Sequence, residues 1–250
     1  MPSFTIFPFL CRMKIALIGY GKMGQAIEKI ALERGHEIVL KIDIETAHLF
    51  TPDQLSIADV AIEFTSPHSA FDNVMKLLAF NTPVVCGSTG WLDKYEAVEE
   101  YCLQQGGTFL YASNFSVGVN IFFELNKKLA ALMARHTDYT VSLEEIHHTQ
   151  KKDAPSGTAV SLAEQIMHAI PLKKSWVNHA SAFPEELPII SKRVDPAPGT
   201  HIVTYSTAID EIEIKHTAHN RTGFATGAVM AAEFITGKKG IFTMKDVLGL

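Results

Sequence analysis

The chain has 250 residues, 47% of them hydrophobic and 20% charged, a composition that suits one large packed core or two modest ones and excludes disordered, collagenous and coiled-coil classes. Lys and Arg total 22 against 27 Asp and Glu, so the formal charge is −5, the wrong sign for a protein that coats nucleic acid or an anionic membrane. No apolar run reaches the roughly 18 residues needed to cross a bilayer, and Cys11, Cys86 and Cys102 form no CxxC pair, which together point to a cytoplasmic protein with reduced thiols.

Residues 1–12 (MPSFTIFPFLCR) are apolar but lack a basic leader and a small-residue cleavage site, so they do not read as a signal peptide. A regular pattern starts at Met13, which is the expected working start, with residues 1–12 a non-native or unstructured upstream extension. Residues 14–18 are an apolar run without alternation, as in a parallel strand covered on both faces. A glycine turn follows, then apolar residues at helical spacing over 25–34, with Gly35 placed to end the helix. The next strand covers 37–42 and finishes at Asp43. Strands are expected at 60–65, 83–86 and 108–112, with helices at 69–80 and 94–104 between them. This alternation predicts a Rossmann-type, doubly wound parallel sheet. The crossover from Asp43 to Val60 is short, and Thr51-Pro52-Asp53-Gln54 has room for little more than one helical turn.

After Phe115 the pattern changes. A long helix over 119–135 leads into a strand at 139–147, where Val141, Leu143, Glu145 and His147 share one face. A helix at 158–169, a Pro-rich loop at 171–188 and strands at 189–194, 201–207 and 211–218 complete a second, α+β domain with antiparallel or mixed pairing. A last helix, 225–236, returns to the first domain. The division expected is therefore 13–113 plus 222–250 for dinucleotide binding, and 114–221 for substrate binding and oligomerisation.

Gly19-Tyr20-Gly21-Lys22-Met23-Gly24 is a GxGxxG turn between a buried strand and an amphipathic helix, with Asp43 at the end of the next strand. Gly19 permits the tight turn, Gly21 lets the backbone approach a pyrophosphate, and Gly24 allows close helix packing. The free N–H groups of the helix start favour phosphate. Asp43 suits the hydroxyls of an adenosine ribose and repels a 2′-phosphate, so the balance favours NADH; Lys22 and Lys41 leave NADPH open. Gly87-Ser88-Thr89-Gly90 and Ser113-Asn114-Phe115 follow strands four and five, where open α/β sheets bind ligands, and suit either a nicotinamide-side contact or simple turn geometry.

The densest chemistry is Glu144 to Thr158 (EEIHHTQKKDAPSGT), a polar stretch leaving a strand and entering a helix. Eight of the eleven histidines lie after residue 130, which places proton chemistry in the second half. No metal site is expected, because adjacent histidines do not readily chelate one ion and no HExxH or HxH spacing occurs. Ser156 lacks the elbow of a serine nucleophile. Ser156-Gly157-Thr158 opens a helix whose N–H groups can hold a carboxylate, with histidine and lysine nearby as charges and proton donors.

At these residues the chain resembles the dihydrodipicolinate reductase family over essentially 13–250. The match runs through the glycine turn, Glu63-Phe64-Thr65, GSTG at 87–90, ASNFSVGVN at 112–120, EIHHTQKKDAPSGTA at 145–159 and His219-Asn220-Arg221. The resemblance implies an NAD(P)H-dependent reduction of 4-hydroxy-tetrahydrodipicolinate, a cyclic dicarboxylate, with loss of water, in the diaminopimelate route to lysine. It implies that His147 is the acid/base residue and Lys151 a proton donor, that His148 binds substrate, and that Gly157 and Thr158 hold a substrate carboxylate. Cofactor contacts are implied for Gly19, Tyr20, Gly21, Lys22, Met23, Gly24, Asp43, Gly87, Ser88, Thr89, Ala112, Ser113, Asn114 and Phe115, and less specifically for Phe64; Arg221 is matched by the resemblance without a defined contact. It also implies a homotetramer assembled through second-domain sheets. Thr149-Gln150 and Glu63 depart from residues common in the family. A different nicotinamide-dependent reductase would lack the HHxxKxDAPSGT stretch, and a non-catalytic dinucleotide sensor would lack His147 or Lys151; both features are present.

Overall fold

A computed structural model describes residues 12–220 and 222–250; Arg221 and the extension up to residue 11 lie outside the described residues. The chain divides into two compact units, Met1–Val117 with Thr222–Leu250, and Gly118–Arg221.

The first unit opens with β1 (Lys14–Ile18), α1 (Lys22–Glu33) and β2 (Glu37–Ile42). It continues with α2 (Pro52–Leu55), β3 (Val60–Glu63), α3 (Ala70–Ala79), β4 (Val84–Cys86), α4 (Tyr95–Gln104) and β5 (Thr108–Tyr111). The short crossover holds one 3-10 turn, Ala47–Leu49, and the four-residue α2, which is capped at its start by the Thr51 hydroxyl and opened by Pro52, as the sequence suggests. α1 starts earlier than the periodicity predicts, because the second half of the glycine turn is already its first turn.

The second unit contains α5 (Val117–Met133), β6 (Thr140–His147), α6 (Gly157–Ala169), β7 (Ser175–Val177), β8 (Glu186–Arg193), β9 (Gly199–Ser206) and β10 (Glu211–Ala218). The chain then rejoins the first unit as α7 (Thr222–Ile235), β11 (Gly240–Phe242) and α8 (Met244–Leu248). β7, β11 and α8 are additions to the expected elements. Each is five residues or fewer, too short to show a period, and the two strands exist because a longer neighbour offers an edge to pair with.

The first sheet is parallel throughout, in the order β11-β5-β4-β3-β1-β2. Its unalternating strands are covered on both sides. Ile15, Leu17 and Ile62 point into one core with α1 and α7, whereas Ala16, Ile18 and Ala61 point into another with α3. The order reverses at β1, which has β2 on one side and β3 on the other. Such a reversal leaves a crevice at the carboxyl ends of the strands, and the glycine turn and Phe64 leave the sheet there.

The second sheet is mixed, in the order β10-β9-β6-β8-β7: β6 pairs antiparallel with β9 and parallel with β8. One face packs Leu143, Ile189 and Val203 against Phe122 of α5 and Leu162 and Ile166 of α6. Buried Asn126 joins the two helices by donating to the Leu162 carbonyl at 3.1 Å and to Gln165 Oε1 at 3.0 Å. Strict alternation along β6 therefore drives Val141, Leu143, Glu145 and His147 to the covered face.

Candidate active site

In the first unit, Gly19 takes φ +93°, and a Cβ there would lie 2.2 Å from the Phe64 carbonyl oxygen. Gly24 is equally confined, since its Cβ would meet the Gly19 carbonyl at 2.3 Å, while nothing lies within 4 Å of a Cβ on Gly21. The first and third glycines thus close the turn and the middle one leaves open space above it. α1 has neither a capping side chain nor an acidic residue in its first turn, so its N–H groups and dipole are available to an anion.

Gly19, Tyr20, Gly21, Asp43 and Phe64 line a cleft of 380 Å³. Met23, Phe64, Gly87, Ser88 and Thr89 line a second of 240 Å³, with Phe64 common to both. Lys22 is exposed at the start of α1, and Gly24 lies buried beneath the turn. Ala112 and Phe115 are buried, Phe115 stacks 5.6 Å from Phe64, and Asn114 Oδ1 accepts from Ser116 N at 2.9 Å. Residues 112–115 line neither of these clefts. Buried Glu63 braces the region: it accepts from the Thr65 amide at 3.1 Å and from Cys86 Sγ at 3.1 Å, and Thr65 N also donates to Ser88 Oγ at 2.8 Å. Burial pushes the Cys86 thiol far above its ordinary range, which makes it a structural donor.

Asp43 is exposed, with Oδ1 accepting from the Ile44 amide at 2.8 Å. Lys41, two residues earlier, is committed elsewhere. Its Nζ lies 2.6 Å from Glu28 Oε1 and 3.2 Å from Tyr20 Oη, and Tyr20 also donates to Glu28. A turn open at Gly21, an uncapped helix start and a free carboxylate edge at Asp43 fit the pyrophosphate and ribose of a dinucleotide.

In the second unit, β6 ends on His147. Its Nδ1 is hydrogen-bonded to Glu145, which is wholly buried two residues back on the same face. Register supplies the rest. Parallel pairing sets Arg193 of β8 opposite His147, and antiparallel pairing sets His201 of β9 opposite Glu145. Arg193 Nη2 donates to Glu145 Oε1 at 2.8 Å and to the Asp153 carbonyl at 2.7 Å. One guanidinium thus ties the loop that carries Lys151 and Gly157 to the strand that carries His147. Burial alone would raise the Glu145 carboxyl, but hydrogen bonds from His147, Arg193 and Ser191 outweigh it and bring it to about 2.

His201 stacks edge-on to His147 at 5.1 Å, and its Nε2 lies 3.0 Å from Ser156 Oγ, the N-cap of α6. Burial, followed by repulsion from His147, lowers it to about 3, so it is neutral at pH 7. Lys151 Nζ is held at 2.8 Å by both oxygens of Asp153. Burial acts to raise Asp153, but the bond from Lys151 prevails and holds it below the usual carboxylate range. Gly157 is exposed at the first turn of α6, followed by half-buried Thr158. His148 lines a cleft of 390 Å³ with Gln150, Asp195, Pro196 and Asn220. Among the described residues, Glu145, His147 and His201 present possible metal-ligand atoms within 4.8 Å of one another. The Arg193 guanidinium on that carboxylate and the proton shared with His147 oppose a further cation.

Glu145, Arg193 and His201 are absent from the site expected from sequence. Glu145 was within reach, since alternation already puts it on the face of His147. Arg193 and His201 arrive through strand register, which no local pattern reports.

A doubly wound sheet with a glycine turn at its reversal point, joined in one chain to a mixed sheet that presents a carboxylate-backed histidine, defines a two-domain, nucleotide-dependent oxidoreductase. The chain belongs to the dihydrodipicolinate reductase family. The family's N-terminal domain, which binds nucleotide, matches residues 13–115 and its C-terminal domain matches 118–248. The chain is 53% identical over 238 residues to the 4-hydroxy-tetrahydrodipicolinate reductase of Christiangramia forsetii, covering 94% of this chain and 98% of that one. It is 39% identical over 199 residues to the enzyme of the same name from Methanosarcina barkeri, covering 78% and 74%. In fold it is similar to the dipicolinate-bound dihydrodipicolinate reductase of Paenisporosarcina sp. TG-14, with TM-score 0.75 at 22% identity over 94% of this chain and 99% of that one. No helix among the described residues is long and apolar enough to cross a membrane.

Proposed function

We infer that the protein reduces 4-hydroxy-tetrahydrodipicolinate to tetrahydrodipicolinate in the diaminopimelate route to lysine. The balance is one hydride and one proton added and one water lost. The single observation that carries the residue assignment is the Arg193 bridge, which holds the 151–157 loop and the end of β6 as one polar assembly.

The nicotinamide supplies the hydride when bound. Gly19 to Gly24 and Asp43 hold the pyrophosphate and adenosine ribose, and Phe64, Gly87 to Thr89 and Ala112 to Phe115 serve the nicotinamide side. His147 or Lys151 delivers the proton to the ring atom that gains electron density as hydride arrives. The α6 amides at Gly157 and Thr158 and the side chain of His148 hold the carboxylates of the substrate, so that orientation and charge neutralisation provide most of the acceleration. No metal is needed for these steps.

NADH is the favoured cofactor. Asp43 opposes a 2′-phosphate, and Lys41, the nearest cation along β2, is neutralised by Glu28. The protein acts in the cytoplasm, without nucleic acid or membrane, as a homotetramer. Support for assembly comes from the uncovered face of the second sheet, where Ile146, Ile190 and Ile202 are only half-buried.

A coupled assay tests the reading: dihydrodipicolinate synthase generates the unstable substrate while NADH absorbance is followed. Substrate-dependent oxidation is expected, and its absence with both cofactors overturns the function. His147→Gln is expected to lower kcat about 100-fold at unchanged KM for cofactor, and wild-type turnover in that variant removes His147 from the chemistry.

A further inference from the structure

Both oxygens of the buried Glu145 are in use, Oε1 by Arg193 at 2.8 Å and Oε2 by His147 Nδ1. An ionised carboxylate only accepts, so the proton in the second bond sits on Nδ1. That leaves Nε2 as the nitrogen able to serve a substrate. No hydrogen bond joins Nε2 to another described residue, and a Cβ on Gly199 would lie 3.0 Å from it, so a larger residue there would cover it. Two other groups of this unit are already engaged. His201 is neutral and engaged by Ser156, and Lys151 is paired with Asp153.

We propose that Glu145 is the positioning residue of the reaction: it fixes His147 in the Nδ1–H form, supports the doubly protonated ring that donates from Nε2, and is itself held by Arg193. This rests on the reading of His147 as proton donor. The geometry explains why a full charge is kept in a buried strand. Arg193 offsets the cost of burying the carboxylate, and its second bond to the Asp153 carbonyl makes the aim of His147 and the placing of the 151–157 loop depend on one side chain.

The test is Glu145→Gln. Its amide oxygen faces Arg193 and its NH₂ faces Nδ1. Because NH₂ only donates, the ring must turn a lone pair to Nδ1 and carry its proton on Nε2. The expected result is a folded enzyme with kcat lowered about 100-fold at unchanged KM for cofactor, and heteronuclear NMR of the imidazole nitrogens changing from the Nδ1–H to the Nε2–H pattern. Glu145→Asp retains the carboxylate, so the Nδ1–H pattern stays and kcat recovers to within about 10-fold of wild type. A folded Glu145→Gln enzyme with kcat within about two-fold of wild type, or with the Nδ1–H pattern intact, overturns the proposal. Should that variant not fold, the wild-type spectrum decides, and an Nε2–H ring at neutral pH overturns it. A wild-type enzyme inactive on the substrate would sink the function instead, while the spectra would still test the Glu145–His147 pair.

Discussion

His201 carries an electrostatic cost that can be read as a pH dependence. In the unfolded chain it takes a proton near pH 6.5, whereas in the fold burial and then the His147 charge lower it to about 3. Between those values the unfolded state binds the extra proton. Stability therefore rises with pH through the window and is lost on acidification, by about 1.4 kcal/mol per pH unit from this group. His216, also lowered by burial, adds a contribution of the same sign, and Glu145 adds a loss only below its ordinary value of 4.5. Urea midpoints measured from neutral pH to about 5 should fall with pH in the wild type and fall less steeply in His201→Gln, whose amide can still meet Ser156. A second residue-scale expectation concerns cofactor choice. The bonds from Lys41 and Tyr20 hold Glu28 below its ordinary value, so the lysine charge is spent on a neighbour. Glu28→Gln releases that charge, and the ratio of kcat/KM for NADPH to that for NADH should rise about 5-fold or more. An unchanged ratio would show that Lys41 does not reach the ribose. Asp43 and the glycine turn are legible in the chain as one candidate site, because all of them sit within one β-α-β unit. The Glu28–Lys41 pair is hidden by comparison, since it depends on which face of β2 meets α1.

At the scale of the element, α7 shows how a helix can be readable and its purpose not. Its apolar residues predict burial, and the structure buries Ala225, Ala228, Val229, Ala231 and Ala232. What periodicity does not report is how near the backbone comes. A Cβ on Gly227 would lie 1.7 Å from the Phe115 carbonyl oxygen, so this helix supports the loop that ends at Phe115. Gly227→Ala should cost about 3 kcal/mol by overpacking, measured by chemical denaturation, and should raise KM for the cofactor through displacement of Phe115; loss of neither would mean that the helix shifts without effect. β6 is the converse. Alternation alone puts Glu145 and His147 on the covered face, and the structure agrees. Its neighbours β8 and β9 were also legible as strands, but their register relative to β6 was not, and register is what brings Arg193 and His201 to the site.

On the scale of the whole molecule, the chain leaves the first unit after Val117 and returns at Thr222 to complete it. β11 pairs with β5, and α7 packs beside α1 over one face of the sheet. The return is fastened by Glu233, which binds Arg34 at 2.7 Å and His36 at 2.9 Å. Burial acts to raise this carboxyl, and the two bonds bring it below its ordinary value. Glu233→Ala, which strands His36 and Arg34, should lower stability by about 2 kcal/mol, seen as a reduced Tm. An unaltered Tm would show that apolar packing of α7 alone closes the unit. By itself, the sequence determined the fold class, the glycine turn with Asp43, and the polar stretch from His147 to Thr158, because each is written in contiguous residues with a fixed period or spacing. Only the tertiary structure decided that Glu145, Arg193 and His201 surround His147, that Lys41 is paired with Glu28, and that Gly227 lies against Phe115. Those facts depend on strand register and close packing between segments far apart in the chain, and no local pattern encodes them.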